Sequence, residues 1–180
     1  MLSITVPERE IFDEKTGEFI YTKETTLQLE HSLVSLSKWE SKWHVPFIHT
    51  PNLSIEQTLD YFRCMTITKN VDPLVYQCLT ADNINRIKAY IDDPMTATTI
   101  TERNTGPRNR EILTSEVLYC YMIALEIPFE CQKWHLNRLI MLIRVCAAKN
   151  QTSKKMGKTE LANRNRALNA ARRKQLNTKG

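Results

Sequence analysis

A long run of mainly apolar residues without a glycine, residues 112–150, constrains this chain more than any other feature. Pro128 divides the run. Because proline is accepted in the first turn of a helix but not in its interior, the run predicts two helices that meet there, over 115–126 and 128–149. Thr114 or Ser115 can cap the first helix. Apolar residues occupy most of the circumference of the second, which predicts burial against several neighbours.

Polar residues inside this run argue against a membrane-spanning helix. A spanning helix needs roughly 20 apolar residues with few or no charges. The second predicted helix is interrupted by His135, Asn137, Arg138 and Arg144. The run therefore predicts the core of a soluble protein.

The N-terminal residues have a different periodicity. Residues 2–6 alternate apolar and polar side chains, and residues 10–22 place Gly17 between two segments of strand-forming residues. This pattern is typical of a hairpin with glycine at the turn. Because residues 25–30 alternate as well, the region predicts a small antiparallel sheet of three or four strands.

From Ser32 onward, apolar residues recur at three- and four-residue steps, which predicts an amphipathic helix that ends near Pro46. Trp39 and Trp43 share one face of this helix. Two such side chains could form an aromatic platform for a base or a peptide. Packing against the sheet is the favoured interpretation, because large aromatic side chains dominate protein cores.

Residues that cap exposed backbone amides mark further helix starts. The capping-box pattern of Ser54 and Gln57 predicts a helix that ends between residues 62 and 64. Pro73 starts a short helical turn, and Thr80 caps a predicted helix over 81–91. Residues 95–110 lack apolar periodicity and predict the longest surface loop of the chain or a β-like excursion.

These patterns together predict an α+β fold that is mainly α-helical. A chain of 180 residues with 42% hydrophobic residues is large enough for one compact domain of ordinary core size. We expect a single globular domain over residues 1–150, with a β element over 1–30 and a helical body over 32–149. Residues 151–180 form a separate C-terminal arm in this prediction.

Charge is distributed unevenly between these two parts. Residues 149–180 contain ten Lys or Arg against the single acid Glu160, a net charge of +9. Residues 1–148 contain fifteen bases and nineteen acids, a net charge of −4. A strongly basic arm on a mildly acidic body indicates a polyanionic partner, an acidic protein surface or a solvated extension.

The arm itself predicts a polar linker over 151–158, which contains Gly157, and a helix over 159–176. Its apolar stripe is thin, so the helix is expected to order on a partner. The residues that we expect to bind this partner are Leu161, Arg164, Arg166, Leu168, Arg172, Arg173 and Lys174. Because the arm has no aromatic residue that could stack on a base, protein docking and nucleic-acid binding are equally compatible with its composition.

No pattern of an enzyme class is present. The chain has four glycines, too few for a glycine-rich phosphate loop, and it lacks a nucleophile elbow and an HExxH motif. Cys131 and His135 are spaced as two metal ligands would be on a helix, but no second pair completes a zinc site. Asp92 and Asp93 precede Pro94 and are expected to end a helix. We therefore expect a protein without enzymatic activity, metal or cofactor.

The five cysteines form no CxxC pair, and their number is odd. The N-terminal residues show no secretory signal pattern. We therefore expect reduced, buried thiols in a cytosolic protein.

Three stretches of the chain resemble a known protein family. The stretches are DDPMTATT (92–99), IPFECQKWHLNRL (127–139) and AARRKQL (170–176), and the SKWE sequence at 37–40 belongs to the same likeness. They resemble small proteins encoded in the virion-structure gene cluster of tailed bacteriophages, most closely the tail assembly chaperones of long-tailed phages. The likeness extends over most of the chain, and none of its motifs is catalytic.

The resemblance implies a non-enzymatic chaperone that binds the long coiled-coil tape-measure protein while tail-tube subunits polymerise around it. It also implies action in the host cytoplasm, absence from the mature virion and contact with the tail-tube protein. We expect no membrane association, and self-association into a homo-oligomer is compatible with the sequence. The alternatives are a structural protein of the head–tail junction and a small nucleic-acid-binding regulator that uses the basic arm.

Overall fold

The computed structural model describes residues 1–13, 17–99, 111–150 and 158–176, and it confirms a mainly helical α+β fold. Four short strands precede the helices: β1 (Leu2–Val6), β2 (Arg9–Asp13), β3 (Glu18–Thr22) and β4 (Thr25–Leu29). The six α-helices of the described ranges are α1 (Leu33–Trp43), α2 (Ile55–Met65), α3 (Ala81–Asp92), α4 (Ser115–Ala124), α5 (Leu136–Asn150) and α6 (Lys158–Leu176). Short 3-10 helices occupy Phe47–His49, Pro73–Cys78 and Phe129–Lys133.

The strands form two antiparallel pairs, β1 with β4 and β2 with β3, where the sequence predicted one sheet of three or four strands. Both pairs have the same register, because Val6 pairs with Thr25 and Arg9 pairs with Thr22. The four strands are therefore successive parts of one long hairpin. Pro7 lies at the interruption, where a residue without a backbone N–H cannot continue the ladder. Gly17 has a φ of +70°, which suits its predicted place at the turn.

Helix starts follow the predicted caps. Ser54 and Gln57 form a reciprocal capping box at the start of α2. Thr80 accepts a hydrogen bond from the Asn83 amide, and Thr114 accepts one from the Val117 amide. These local side-chain contacts depend on residues three apart in sequence, so the sequence alone identified the caps of α2 and α3 and limited the cap of α4 to Thr114 or Ser115.

The prediction of a helix that begins at Pro128 is wrong. A short 3-10 helix follows Pro128, Trp134 is extended, and α5 begins only at Leu136. The extended backbone pairs with the segment before α1, since His135 forms a β-bridge with Ser32 and the Leu136 N–H donates to the His31 carbonyl at 2.7 Å. This long-range pairing competes with helix formation at residues 134 and 135 and delays the start of α5.

Two apolar clusters form the core. The first joins the long hairpin to α1, α2 and α3, and its largest fully buried side chains include Trp39, Tyr61 and Phe62. The second joins α1, α4 and α5 around Leu36, Leu118 and Leu139. Helix α1 therefore packs in both clusters. The full burial of Trp39 confirms that this side chain is part of the core.

Fewer side chains of α5 are buried than its composition predicts. Only Leu136, Leu139 and Ile143 are buried on this helix, because its packing partners lie on one side.

The prediction of uniformly buried thiols is also wrong: Cys78 and Cys131 are buried, whereas the Cys120 thiol is exposed on α4. All five cysteines are free.

The chain divides into two compact units, Met1–Cys146 and Ala147–Gly180. The first contains both apolar clusters, and the second contains the C-terminal end of α5 and the whole of α6. The predicted loop at 95–110 lies outside the described residues from 100 onward, as do residues 151–157 of the predicted linker.

Candidate partner-binding site

The predicted partner-binding residues all fall within α6, a helix of nineteen residues. Every α6 side chain that the structure describes is exposed, and Leu168 retains 46% of its accessible surface. The side chains of Leu161 and Lys174 lie outside the described residues. Burial of an apolar face normally supplies most of the stability of a helix, and none of the described side chains of α6 is buried.

Two sets of side chains lie on different sides of α6. Arg164, Leu168 and Arg172 recur at four-residue steps, which places them along one face of a helix with 3.6 residues per turn. Arg166 and Arg173 are seven residues apart and share the opposite face. The predicted partner-binding residues therefore lie on two faces of α6. One face combines leucine with arginine, and the other is cationic without a large apolar side chain.

Helix α6 is strongly basic. Lys158–Leu176 contains six Lys or Arg and only Glu160 as an acid. Cations on two faces of one helix attract an anionic surface from several directions, and that attraction weakens as salt screens it.

A second candidate is a cluster of titratable side chains at the junction of the two apolar clusters. The imidazoles of His31 and His135 are both buried, with ring centroids 5.1 Å apart. The Tyr61 hydroxyl lies 2.6 Å from Nδ1 of His31, and Nε2 of His135 lies 2.9 Å from the Tyr90 carbonyl oxygen. Because a carbonyl only accepts, Nε2 of His135 carries the proton. Nδ1 of His135 then has no partner among the described residues.

Burial in this junction favours the neutral form of His31. Burial, and secondarily the neighbouring His135, lowers the pKa of His31 from 6.5 to about 3. Burial also raises the pKa of Tyr61 above its ordinary value. A general base must reach the proton that it abstracts. Both imidazoles are enclosed by the core, so the geometry assigns this pair to packing between the two clusters.

An open cleft of about 450 Å³ lies between α2, α3 and the segment 50–53. Its walls include Tyr61, Phe62 and Ile91, and its charged side chains are Lys88 and Asp92. A single carboxylate beside a single ammonium offers no pair of acids for hydrolytic chemistry. Apolar and polar side chains both line this cleft.

No protein-family model, no curated protein and no solved structure matches this chain. Across the described ranges, no group of three or more His, Cys, Asp or Glu side chains is arranged to hold a metal ion. No helix in the part of the chain that the structure describes is long and apolar enough to cross a bilayer. The candidate site is therefore supported by the geometry of this chain alone.

Sequence reasoning missed several residues that matter to the structure. Glu40 is buried, although no sequence pattern indicates burial of a carboxylate in α1. His31 and His135 are far apart in sequence, and no spacing pattern indicates that they meet. Phe12 and Phe19 lie in two predicted strands. The alternation of side chains along each strand is the sequence signal that could have placed both rings on one face.

Proposed function

We propose that this protein is a tail assembly chaperone of a long-tailed bacteriophage, which binds the tape-measure protein while tail-tube subunits polymerise around it. The observation that supports the proposal most is α6: an exposed, positively charged helix attached to a compact body. The resemblance of the three sequence stretches to tail assembly chaperones suggests the tape-measure protein as the partner. Helix α6 is the element that we expect to bind it.

A helix with exposed leucine and arginine suits a coiled-coil partner. Amphipathic helices dock by inserting apolar side chains from successive turns into the partner's surface. On α6, Leu168 would provide such an anchor, and Arg164 and Arg172 flank it at four-residue steps. Opposite charge on the partner would accelerate association and set orientation, while the leucine would contribute affinity.

A second candidate function is binding of nucleic acid, and one specific observation favours it. The cations of α6 occupy two faces, with Arg166 and Arg173 on the side opposite Leu168. Phosphate contacts need only positive charge, and they do not require an apolar face. A head–tail junction protein that lies along DNA would use the arm in this way.

Capture of the tape-measure protein encoded by the same phage tests the proposal. The two full-length proteins are co-expressed, and the chaperone carries an affinity tag. We expect capture by the wild type, a loss of tenfold or more with Arg172→Glu/Arg173→Glu, and a clear loss with Leu168→Ser. The control Lys38→Glu/Lys133→Glu makes the same change in net charge on exposed residues of the body and should capture normally. Normal capture by both α6 variants would overturn the assignment of α6.

Salt dependence separates the two candidate functions. Binding through phosphates alone loses affinity linearly on a log–log plot against salt, with a slope close to the number of phosphates neutralised. Leu168→Ser should leave that binding unchanged. Mass spectrometry of purified virions adds an independent test, because a chaperone should be absent, and a junction protein should be present at fixed copy number.

A further inference from the structure

The outer half of the long hairpin, β2 and β3, carries an exposed aromatic surface. Phe12, Phe19 and Tyr21 retain 51%, 71% and 53% of their accessible surface. The Phe12 and Phe19 rings are a cross-strand pair with centroids 5.2 Å apart. Glu10 pairs with Tyr21 across the same face. We call these four side chains the aromatic face.

The opposite side of this hairpin explains why the aromatic face points outward. Side chains alternate between the two sides of a strand. Ile11 packs against the first apolar cluster, and Thr22 is buried, where its hydroxyl contacts the Cys78 thiol at 3.1 Å. Since that side holds the hairpin on the body, Phe12, Phe19 and Tyr21 are left exposed. Exposed apolar patches rimmed by polar residues mark interaction sites.

The rim of the aromatic face is acidic. The Tyr21 hydroxyl donates a hydrogen bond to the Glu8 carboxylate, and Glu10 is exposed next to it. Residues 2–29 contain six acids against the three bases Arg9, Lys15 and Lys23. Aromatic rings attract guanidinium and ammonium groups through their negative faces, and the carboxylates strengthen that attraction. The surface therefore fits a cationic partner with some apolar character.

Helix α6 of this chain has that chemistry. It has six bases against one acid, and it exposes Leu168 between Arg164 and Arg172. In the single chain, the aromatic face and the described side chains of α6 are both exposed. Two surfaces of opposite charge, each with exposed apolar side chains, are thus present on every copy.

We propose that the aromatic face binds α6 of a second copy of this chain. Phe12 and Phe19 cover Leu168, and the carboxylates of Glu8 and Glu10 receive arginine side chains of the second copy. Because the two surfaces differ, the contact is heterologous. In an open chain of copies only the two end copies keep one unused surface each, and in a closed ring every surface is used. This self-association needs no other protein, so its test is independent of the proposed function.

Sedimentation velocity of the full-length protein tests the contact. At about 100 μM, a contact with a Kd of about 10 μM or tighter is mostly formed. We expect wild type to associate, and both Phe12→Ser/Phe19→Ser and Arg172→Glu/Arg173→Glu to be monomeric. The matched controls are Phe129→Ser, which changes an aromatic side chain of similar exposure at 53%, and Lys38→Glu/Lys133→Glu. Both controls should associate as wild type does.

Mixing the two monomeric variants tests whether the contact joins the aromatic face of one copy to α6 of another. The Phe12/Phe19 variant retains a functional α6, and the Arg172/Arg173 variant retains a functional aromatic face. A heterologous contact therefore predicts that the mixture forms a 1:1 dimer although neither variant associates alone. A mixture that stays monomeric would exclude the contact between copies, whether because the aromatic face binds nothing or because α6 folds onto its own chain.

A charge exchange tests the same contact with the aromatic side chains in place, so its result does not depend on the folding of the serine variant. Glu10→Arg should weaken association about tenfold or more, and Glu10→Arg combined with Arg172→Glu should restore it. Circular dichroism of each variant checks that the fold is retained. Wild type that stays monomeric at this concentration, or association that survives all of these substitutions, would overturn the proposal.

Discussion

The Glu40 carboxylate accepts a hydrogen bond at 2.7 Å from the backbone N–H of Ser115, the first residue of α4. Its other oxygen accepts from the Phe47 N–H at 3.0 Å. One buried side chain of α1 therefore satisfies backbone amides at the start of α4 and at the start of the Phe47–His49 turn, which have no partner within their own helix. This contact joins segments that are seventy-five residues apart in sequence.

Replacing Glu40 should weaken the fold through these amides. Glutamine retains only one accepting oxygen, so Glu40→Gln leaves either the Ser115 or the Phe47 amide facing an NH₂ group. We expect a loss of about 1–3 kcal/mol in the free energy of unfolding, the cost of an unsatisfied buried donor. Urea unfolding measures it. The exposed Glu24→Gln serves as control, and an equal effect of both substitutions would contradict the role of Glu40.

Trp39 should contribute far more to stability than Trp134. Trp39 is fully buried, and its indole N–H donates to the Gln57 carbonyl at 2.9 Å. Trp39→Ala should cost about 3–5 kcal/mol, the range for deleting a large core aromatic. Trp134 is half-buried beneath the Arg138 guanidinium, so Trp134→Ala should cost less. Chemical unfolding compares the two, and a larger loss for Trp134→Ala would show that its environment is misassigned.

Acid should destabilise the protein through His31. The pKa of His31 is lowered from 6.5 to about 3 by burial, so between these values the unfolded chain binds a proton that the folded chain excludes. Stability that is fully present above pH 6.5 is therefore lost as the pH falls towards 3. At pH 5 the loss should reach about 2 kcal/mol, since each pKa unit corresponds to about 1.4 kcal/mol.

Urea unfolding at pH 7 and pH 5 measures this loss, and His31→Gln should reduce it. His44→Asn replaces an exposed histidine and is the control. NMR titration of the wild type provides a test without a variant, because the His31 ring should stay neutral down to pH 4. A ring that takes up its proton near pH 6.5 would refute the prediction.

The thiols should react in an order set by their exposure. Cys120 is exposed, whereas Cys78 and Cys131 are buried, and burial raises the pKa of the Cys131 thiol. Because the thiolate is the reactive form, a thiol reagent should modify Cys120 first and the two buried cysteines last. In denaturant without reductant, titration should count five thiols. Three or one would reveal a disulfide.

Local sequence patterns predicted the elements that depend on nearby residues. The caps formed by Ser54, Thr80 and Thr114 bond to backbone amides three residues away, so their chemistry is contained in a short window of sequence. The change from two-residue to three- and four-residue spacing near Ser32 predicted the end of the β element and the start of α1 for the same reason. The helical form of α6 also follows from its composition, which is rich in good helix formers.

The tertiary structure alone decided which residues meet. The start of α5 at Leu136 depends on pairing between His135 and Ser32, and the burial of Glu40 depends on the arrival of α4. Neither is visible in a periodic pattern, because long-range pairs carry no fixed spacing along the chain. The sequence thus determined where helices and strands can form and how charge is distributed. Packing decided which polar groups are buried and which aromatic side chains remain exposed, because burial depends on neighbours that the chain brings together only when it folds.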